Sequence, residues 1–183
     1  MNPSLTRTAL CILGAARRSP LAVLDVSVIP MRVWPGDLDF NLHMNNGRYL
    51  TLMDLGRLDF MIRSGLGSVV LRRRWRPVVG SAGFRYRRPL EPFARFELHT
   101  RLSCWDSKWF YMDQSFQRAG AVYGAGVVKA LFKSGRRKVM PSEVLEAMGV
   151  RIDSPPIPAG LIEWQLADSK LAARDRQRPR AAG

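Results

Sequence analysis

Two carboxylates, a histidine and three asparagines lie close together near the start of this 183-residue chain and could perform acid–base chemistry. In order they are Asp37, Asp39, Asn41, His43, Asn45 and Asn46, with Gly47 next. Asp39 can act as a general base or as a nucleophile, and His43 can polarise a carbonyl or move a proton. Asn41 can orient a water molecule or the carboxylate. We therefore take Asp39, His43 and Asn41 as candidate catalytic residues.

The segment after this polar string predicts a long helix whose first turn faces the candidate site. It is mostly apolar and free of proline, and we expect a helix from 47 to 64 that Gly65 and Gly67 end. Its apolar residues cover more than one stripe, which indicates a helix wrapped by protein. Exposed N–H groups at Asn46 and Gly47 would suit an oxyanion. Asn45 and Asn46 also suit the role of helix cap, and Asp37 that of a turn residue.

The rest of the chain predicts an antiparallel sheet. Residues 96–104 alternate between apolar and polar types, which is typical of a half-buried strand. Further strands are expected at 27–33, 77–81, 84–87, 109–117 and 121–132, and short helices at 142–148 and 161–173. The order of one strand, one long buried helix and then a curled meander predicts an α+β fold.

The polar string resembles that of the hotdog-fold thioesterases, in which an antiparallel sheet wraps around one long central helix. The pattern Asp37-x-Asp39-x-Asn41-x-His43-x-Asn45-Asn46-x-x-Tyr49 carries the resemblance, with support from Tyr86-Arg87-Arg88-Pro89 and from 137–141. The 4-hydroxybenzoyl-CoA thioesterase branch begins this loop with Asp-x-Asp, and the plant acyl-carrier-protein thioesterases carry Asp-x-Asn-x-His. Both alignments make Asp39 the catalytic carboxylate.

One position departs from the bacterial pattern. Several of those enzymes have a histidine seven residues after the second aspartate, where this chain has Asn46. Either His43 or Asn46 could therefore contact the thioester. The resemblance implies a hotdog domain over residues 26–149, an N-terminal extension over 1–25 and a C-terminal linker, short helix and basic tail over 150–183. It also implies hydrolysis of acyl-CoA or acyl-carrier-protein thioesters without a metal or redox cofactor.

The net charge of +14, most of it from arginine, fits nucleic acid, an anionic membrane or a phosphorylated small ligand as a partner, and fits equally a generally basic soluble surface. Arg88, Arg136 and Arg137 are candidates for the CoA phosphates, because guanidinium groups pair with phosphate in bidentate geometry. Asn45, Asn46 and Gly47 complete the candidate substrate-binding set. Aromatic residues do not interleave with the basic clusters, which argues against nucleic-acid binding. Contact of the N-terminal segment with a membrane is a weaker alternative.

Compartment and assembly follow from the cysteines and from the resemblance. Two cysteines are too few for a disulfide scaffold, and we expect reduced thiols in the cytoplasm. The family forms its active site between protomers, which implies a homodimer or a dimer-based tetramer. Two alternatives stay open: a catalytically silent hotdog that binds acyl chains or serves as a scaffold, and a hotdog hydratase or dehydratase. The latter carries Gly-Asp-x-Asn-Pro-x-His, and this chain lacks the proline.

Overall fold

The computed structural model describes residues 3–177 of the chain. The helices are α1 (Pro3–Arg17), α2 (Asn46–Arg63), α3 (Leu66–Arg72), α4 (Pro141–Ala147) and α5 (Ala159–Gln177). The strands are β1 (Ser27–Arg32), β2 (Arg76–Tyr86), β3 (Arg95–Trp105), β4 (Phe110–Arg118), β5 (Ala121–Ser134) and β6 (Arg137–Val139). They form one antiparallel sheet in the order β1-β3-β4-β5-β2, and β6 pairs with the end of β5.

The sheet curls around α2, which confirms the predicted α+β arrangement. Tyr49, Leu52 and Met53 of α2 lie in the core with Leu98 and Phe116 of the sheet. Gly56 sets the distance between helix and sheet, because a Cβ atom there would lie 2.3 Å from Oγ1 of Thr100. A larger residue at this position would push α2 off the sheet. The helix begins and ends within one residue of the predicted bounds.

β2 differs from the sequence prediction of two short strands. It is one strand of 11 residues that pairs with β5 along its length, with an irregularity in register between Val79 and Ser81. Gly80 lies at this irregularity, and a Cβ atom there would lie 2.5 Å from the ring of Trp109. The predicted break between the two strands falls at 82–83, where Gly83 makes room for the indole ring of Trp164, because a Cβ atom there would lie 2.9 Å from its Nε1. β2 forms one edge of the sheet.

The N-terminal helix α1 packs against α2 and is tied to the domain by two ion pairs. Its Arg7 pairs with Asp37, and Arg18, just after the helix, pairs with Asp59 of α2. Cys11 and Ala15 are buried on the same side. The opposite side leaves Leu10 and Leu13 exposed.

Two helices differ from the prediction. Gly65 ends α2 with a φ of +79°, as expected, but Gly67 lies inside the unpredicted helix α3. α5 is longer than expected and runs through 174–177, part of the predicted basic tail. Residues 178–183 of that tail lie outside the described residues.

α5 lies on the outer face of the sheet. Its Leu161 is buried with Tyr111 and Cys104, and Trp164 packs over Gly83 of β2. An ion pair joins Asp168 of α5 to Lys129 of β5. Among the described residues no helix is long and apolar enough to cross a membrane.

Both cysteines are buried free thiols, and this makes their reactivity testable. Burial raises the pKa of Cys11 and of Cys104 to about 11. Only the thiolate attacks an alkylating reagent, so at about pH 8 both should react with iodoacetamide roughly a hundredfold more slowly than an ordinary thiol. The rate should rise as the pH approaches the raised pKa. Mass spectrometry of folded and denatured protein measures this, and equal rates in the two states would contradict the buried placement.

Candidate functional site

The polar string folds into a compact loop between β1 and α2. A single 3-10 turn covers Pro35–Asp37, and Leu38 then forms an isolated antiparallel bridge with Met44. Within that bridge the N–H of Asp39 donates to the carbonyl of His43 at 2.9 Å. Leu42 closes the loop with a φ of +58°, a left-handed conformation that is rare for leucine. The loop therefore holds Asp39 and His43 opposite each other at its base.

The Asp39 carboxylate is oriented by its own loop. One carboxylate oxygen, Oδ1, accepts the backbone N–H of Asn41 at 2.9 Å, which is the hydrogen bond of an Asx turn. Asp39 and His43 are half-buried, whereas Asn41 is exposed. Asn41 thus positions the carboxylate through its backbone N–H, whereas the sequence had suggested this role for its side chain.

Asp37 anchors the loop from below. Its buried carboxylate accepts hydrogen bonds from Arg7 of α1 at 2.6 Å and from Arg48 of α2 at 2.9 Å. It also accepts the N–H of Trp34 at 2.9 Å, and its carbonyl accepts the N–H of Asn45 at 2.8 Å. These bonds fix the loop to two helices. A structural role for Asp37 agrees with its interpretation as a turn residue, but the two arginine partners were not foreseen.

The start of α2 is capped from within the string. The side-chain Oδ1 of Asn45 accepts the N–H of Gly47 at 2.8 Å, and the helix begins at Asn46. The N–H of Gly47 would therefore have to leave its cap before it could bind an oxyanion. Of the two expected donors, this favours Asn46.

The end of β2 contacts the same helix start. The hydroxyl of Tyr86 donates to the carbonyl of Asn46 at 3.0 Å, and its ring packs edge-on against Tyr49. The exposed Arg88 follows two residues later. The N–H of Met44 donates to the carbonyl of Leu90 at 2.9 Å, which ties this segment to the loop. The role of Tyr86 had no sequence signal beyond its place in the Tyr-Arg-Arg-Pro motif.

Arg136 and Arg137 lie at the opposite end of the sheet. Tyr86 pairs with Gly124 of β5, while Arg76, at the other end of β2, pairs with Lys133. These two ends are about 30 Å apart at the usual rise per strand residue. Arg137 forms a bidentate pair with Glu143 at 2.7 and 2.8 Å. Within one chain, therefore, Arg88 accompanies the Asp39 loop and the other two arginines do not.

A cavity of about 340 Å³ opens between the second half of α2 and the sheet. Its lining is almost entirely apolar, with Asp54, Arg57 and Ser64 of the α2 segment as the exceptions. Arg57 donates to Oε1 of Gln114 at 2.6 Å and pairs with Asp54, three residues earlier on the same helix. Burial lowers the pKa of Arg57 against the opposing effect of Asp54. The lining does not include Asp39, Asn41 or His43.

Solved structures share this arrangement of sheet and helix. A hypothetical protein, SAV2348 from Staphylococcus aureus, solved in complex with CoA, superposes with a TM-score of 0.62 at 14% identity, over 78% of this chain and 96% of its own. The YbaW probable thioesterase from Escherichia coli gives a TM-score of 0.60 at 20% identity, over 66% of this chain and 95% of its own. The fold is thus the hotdog fold of thioesterase structures.

Sequence comparisons identify the superfamily to which the chain belongs. The model of the thioesterase-like superfamily matches residues 33–165, and the chain belongs to that superfamily. Protein THEM6 from Danio rerio is 36% identical over 149 residues, which cover 80% of this chain and 73% of the fish protein. Protein THEM6 from Xenopus laevis is also 36% identical, over 72% of this chain and 63% of the frog protein. Thioesterase poxG from Penicillium oxalicum is 25% identical over 76% of this chain and 57% of its own length. The chain thus spans less than two thirds of the frog and fungal relatives.

Proposed function

We propose that the protein hydrolyses acyl thioesters carried by CoA or, as a second carrier, by acyl-carrier protein. The observation that carries this proposal is the Asp39–His43 loop at the entrance of the central helix in a hotdog fold. The loop holds a carboxylate, an imidazole and a helix N-terminus within one compact turn. The chain lacks the proline of the hydratase and dehydratase string, and membership in the thioesterase-like superfamily favours hydrolysis.

In the proposed reaction Asp39 activates the attack on the thioester carbonyl. It either takes a proton from a water that attacks the carbon, or attacks the carbon itself and is then released by water. The developing oxyanion is bound at the first turn of α2, where the N–H of Asn46 is the favoured donor. The carbon–sulfur bond breaks, and His43 passes a proton to the leaving thiolate. The acid and the free thiol of the carrier are the products.

We also propose that the working site forms between two copies of the chain. β2 is an edge strand on which Val79 and Tyr86 expose apolar surface, and such edges are usually covered. Antiparallel pairing of β2 with its copy around a two-fold axis would place the Tyr86 end of one strand beside the Arg76 end of the other. Tyr86 contacts Asn46, and 77–79 line the cavity. The loop of one chain would then meet the cavity of its partner.

The same pairing would bring Arg136 and Arg137 of one chain towards the Asp39 loop of its partner. Arg136 is exposed in the turn between β5 and β6, at the Arg76 end of the sheet. In a two-fold dimer this end approaches the partner's Asp39 loop and Arg88. We therefore keep Arg88, Arg136 and Arg137 as candidate contacts of the CoA phosphates, whose charge suits guanidinium groups. The two buried free thiols agree with a reducing compartment such as the cytoplasm.

A panel of acyl-CoA thioesters tests the proposed function. Purified protein is incubated with each thioester, and a thiol-reactive dye reports the released CoA. We expect steady-state release with at least one acyl-CoA, at a kcat/KM of about 10⁴ M⁻¹s⁻¹ or more, the lower end for enzymes. The matched control is the same assay with Asp39→Asn. Binding of acyl-CoA without release of thiol would instead support the catalytically silent alternative.

A further inference from the structure

The cavity beneath α2 has the shape and lining of a blind pocket for an apolar chain. Its floor is the inner face of the sheet, with Met112 of β4 and Ala130 and Phe132 of β5. Leu58 and Met61 of α2 form its roof. At the end of α2 away from the Asp39 loop, the lining continues with Leu66 of α3, with Val144 and Leu145 of α4 and with Met148 just after it.

The polar side chains of the lining are already engaged in hydrogen bonds. Arg57 pairs with Asp54 and donates to Gln114 outside the lining, whose amide donates to the carbonyl of Met53 and to Thr100, each at 2.9 Å. Ser64 donates to a backbone carbonyl of α2. The side chain of Arg57 is only 14% exposed, whereas that of Asp54 is 70% exposed and marks the entrance. A charged acyl group pushed past this entrance would lose its water and meet hydrocarbon.

From these contacts we infer that the cavity receives the acyl group of the thioester and selects an uncharged aliphatic chain of limited length. This inference rests on the proposed function, since the partner's loop would present the thioester carbonyl at the entrance. The length limit comes from α3 and α4, which stop the chain at the far end. Each methylene buried before that limit should raise kcat/KM roughly fourfold, because its transfer from water is favourable. Beyond the limit the gain should stop.

Ala130 allows a sharp test, because it contributes the smallest apolar side chain of the lining. Ala130→Leu would fill part of the floor and displace about three methylenes of the acyl chain, so we expect kcat/KM for the longest preferred acyl-CoA to fall by about 60-fold. Activity towards butyryl-CoA should fall by a smaller factor, because its short chain buries fewer methylenes in the cavity. Leu145→Ala opens the far end and should move the preference towards longer chains. The two variants should shift the preferred chain length in opposite directions, so a variant that fails to fold leaves the other as a test.

Ala125→Leu is the matched control. It lies on the same strand but lines the outer face of the sheet, on the side away from α2. It should leave the chain-length profile as in the wild type. Equal effects of the Ala125 and Ala130 variants would overturn the inference, as would a wild-type preference for succinyl-CoA or glutaryl-CoA over butyryl-CoA.

A binding measurement separates this inference from the proposed function. Calorimetry with non-hydrolysable alkyl thioethers of CoA reports occupancy of the cavity without any chemistry. We expect affinity to rise with alkyl length up to the limit, and Ala130→Leu to shorten that limit. If this holds while no thioester is hydrolysed, the proposed function fails and the pocket assignment stands. Affinity independent of alkyl length would overturn the pocket assignment even in an active enzyme.

Discussion

Replacing Asp39 by asparagine is expected to lower kcat by about 10²-fold or more, which is the usual loss when a general base is removed. Asparagine keeps the shape of the side chain and can still accept the N–H of Asn41 through its amide oxygen, so the loop should stay folded. It cannot take a proton or attack a carbonyl. The KM should change little, because the acyl chain and the carrier are bound elsewhere. Thiol release under saturating acyl-CoA measures the effect.

The control for this variant is Asp113→Asn. Asp113 is a carboxylate on β4 that pairs with Arg101 and lines the groove on the outer face of the sheet. It should retain wild-type kcat, and both variants should melt within a few degrees of the wild type. Wild-type turnover in Asp39→Asn would remove Asp39 from the chemistry. His43 and the first turn of α2 would then have to act without it.

Replacing Asp59 by alanine should destabilise the fold by about 3 kcal/mol, within the range for breaking a buried ion pair. Its side chain is 0% exposed and accepts hydrogen bonds from Arg18 at 2.8 Å, from Ser27 at 2.6 Å and from Arg63 at 3.3 Å. Removing it leaves two guanidinium groups without their shared carboxylate beside a buried hydroxyl. Arg18 is partly exposed, so water recovers part of the cost and the estimate stays at the lower end. Urea unfolding monitored by tryptophan fluorescence measures the change.

The matched variant is Asp113→Ala on β4. Asp113 also pairs with an arginine, Arg101, but the two side chains are 39% and 57% exposed, and exposed pairs contribute about 1 kcal/mol or less. Each variant removes one carboxylate from an ion pair, so the difference between their losses in unfolding free energy measures the effect of burial. Equal losses would mean that the Asp59 network contributes no more than a surface pair. A larger loss for Asp59 also predicts that α1, held by Arg18, loosens in that variant, which hydrogen exchange can detect.

The main elements could be predicted because local patterns specify them. A cluster of Asp and Asn before a long apolar stretch identified the loop and α2, and the alternation in 96–104 identified β3. The hotdog fold and the superfamily followed from the polar string and are confirmed.

The missed features depend on contacts between distant parts of the chain. Asp37 and Asp59 each pair with an arginine of the N-terminal segment, Arg7 and Arg18, more than 25 residues away, and no local pattern predicts these pairs. The predicted break in β2 at 82–83 is absent, and Trp164 of α5, a distant residue, packs over Gly83 at that point. From the sequence, Asn45 could be either a helix cap or a substrate-binding residue, because an asparagine before a helix suits both roles. The hydrogen bond from the N–H of Gly47 to Asn45 therefore could not be predicted as the single outcome.

A dimer would bring the Asp39 loop of one chain to the cavity of its partner. One chain places Asp39 at the start of α2, whereas the cavity lies against the second half of that helix. Residues 47–54 separate the two by about 12 Å at the helical rise per residue. Pairing across β2 would supply the cavity from the partner. Light scattering should accordingly give the mass of a dimer. Because α5 lies on the outer face of the sheet, stacking of two such faces into a tetramer would require α5 to move.

Activity of a mixed dimer tests this central claim most directly. One chain carries Asp39→Asn and the other carries Ala130→Leu, and different affinity tags isolate the mixed species. With an acyl-CoA too long for the Ala130→Leu cavity, each variant alone should be nearly inactive. The mixed dimer would contain one site with an intact Asp39 and an intact partner cavity, so we predict about half of wild-type turnover. No activity above that of the two parent variants would contradict a site shared between chains.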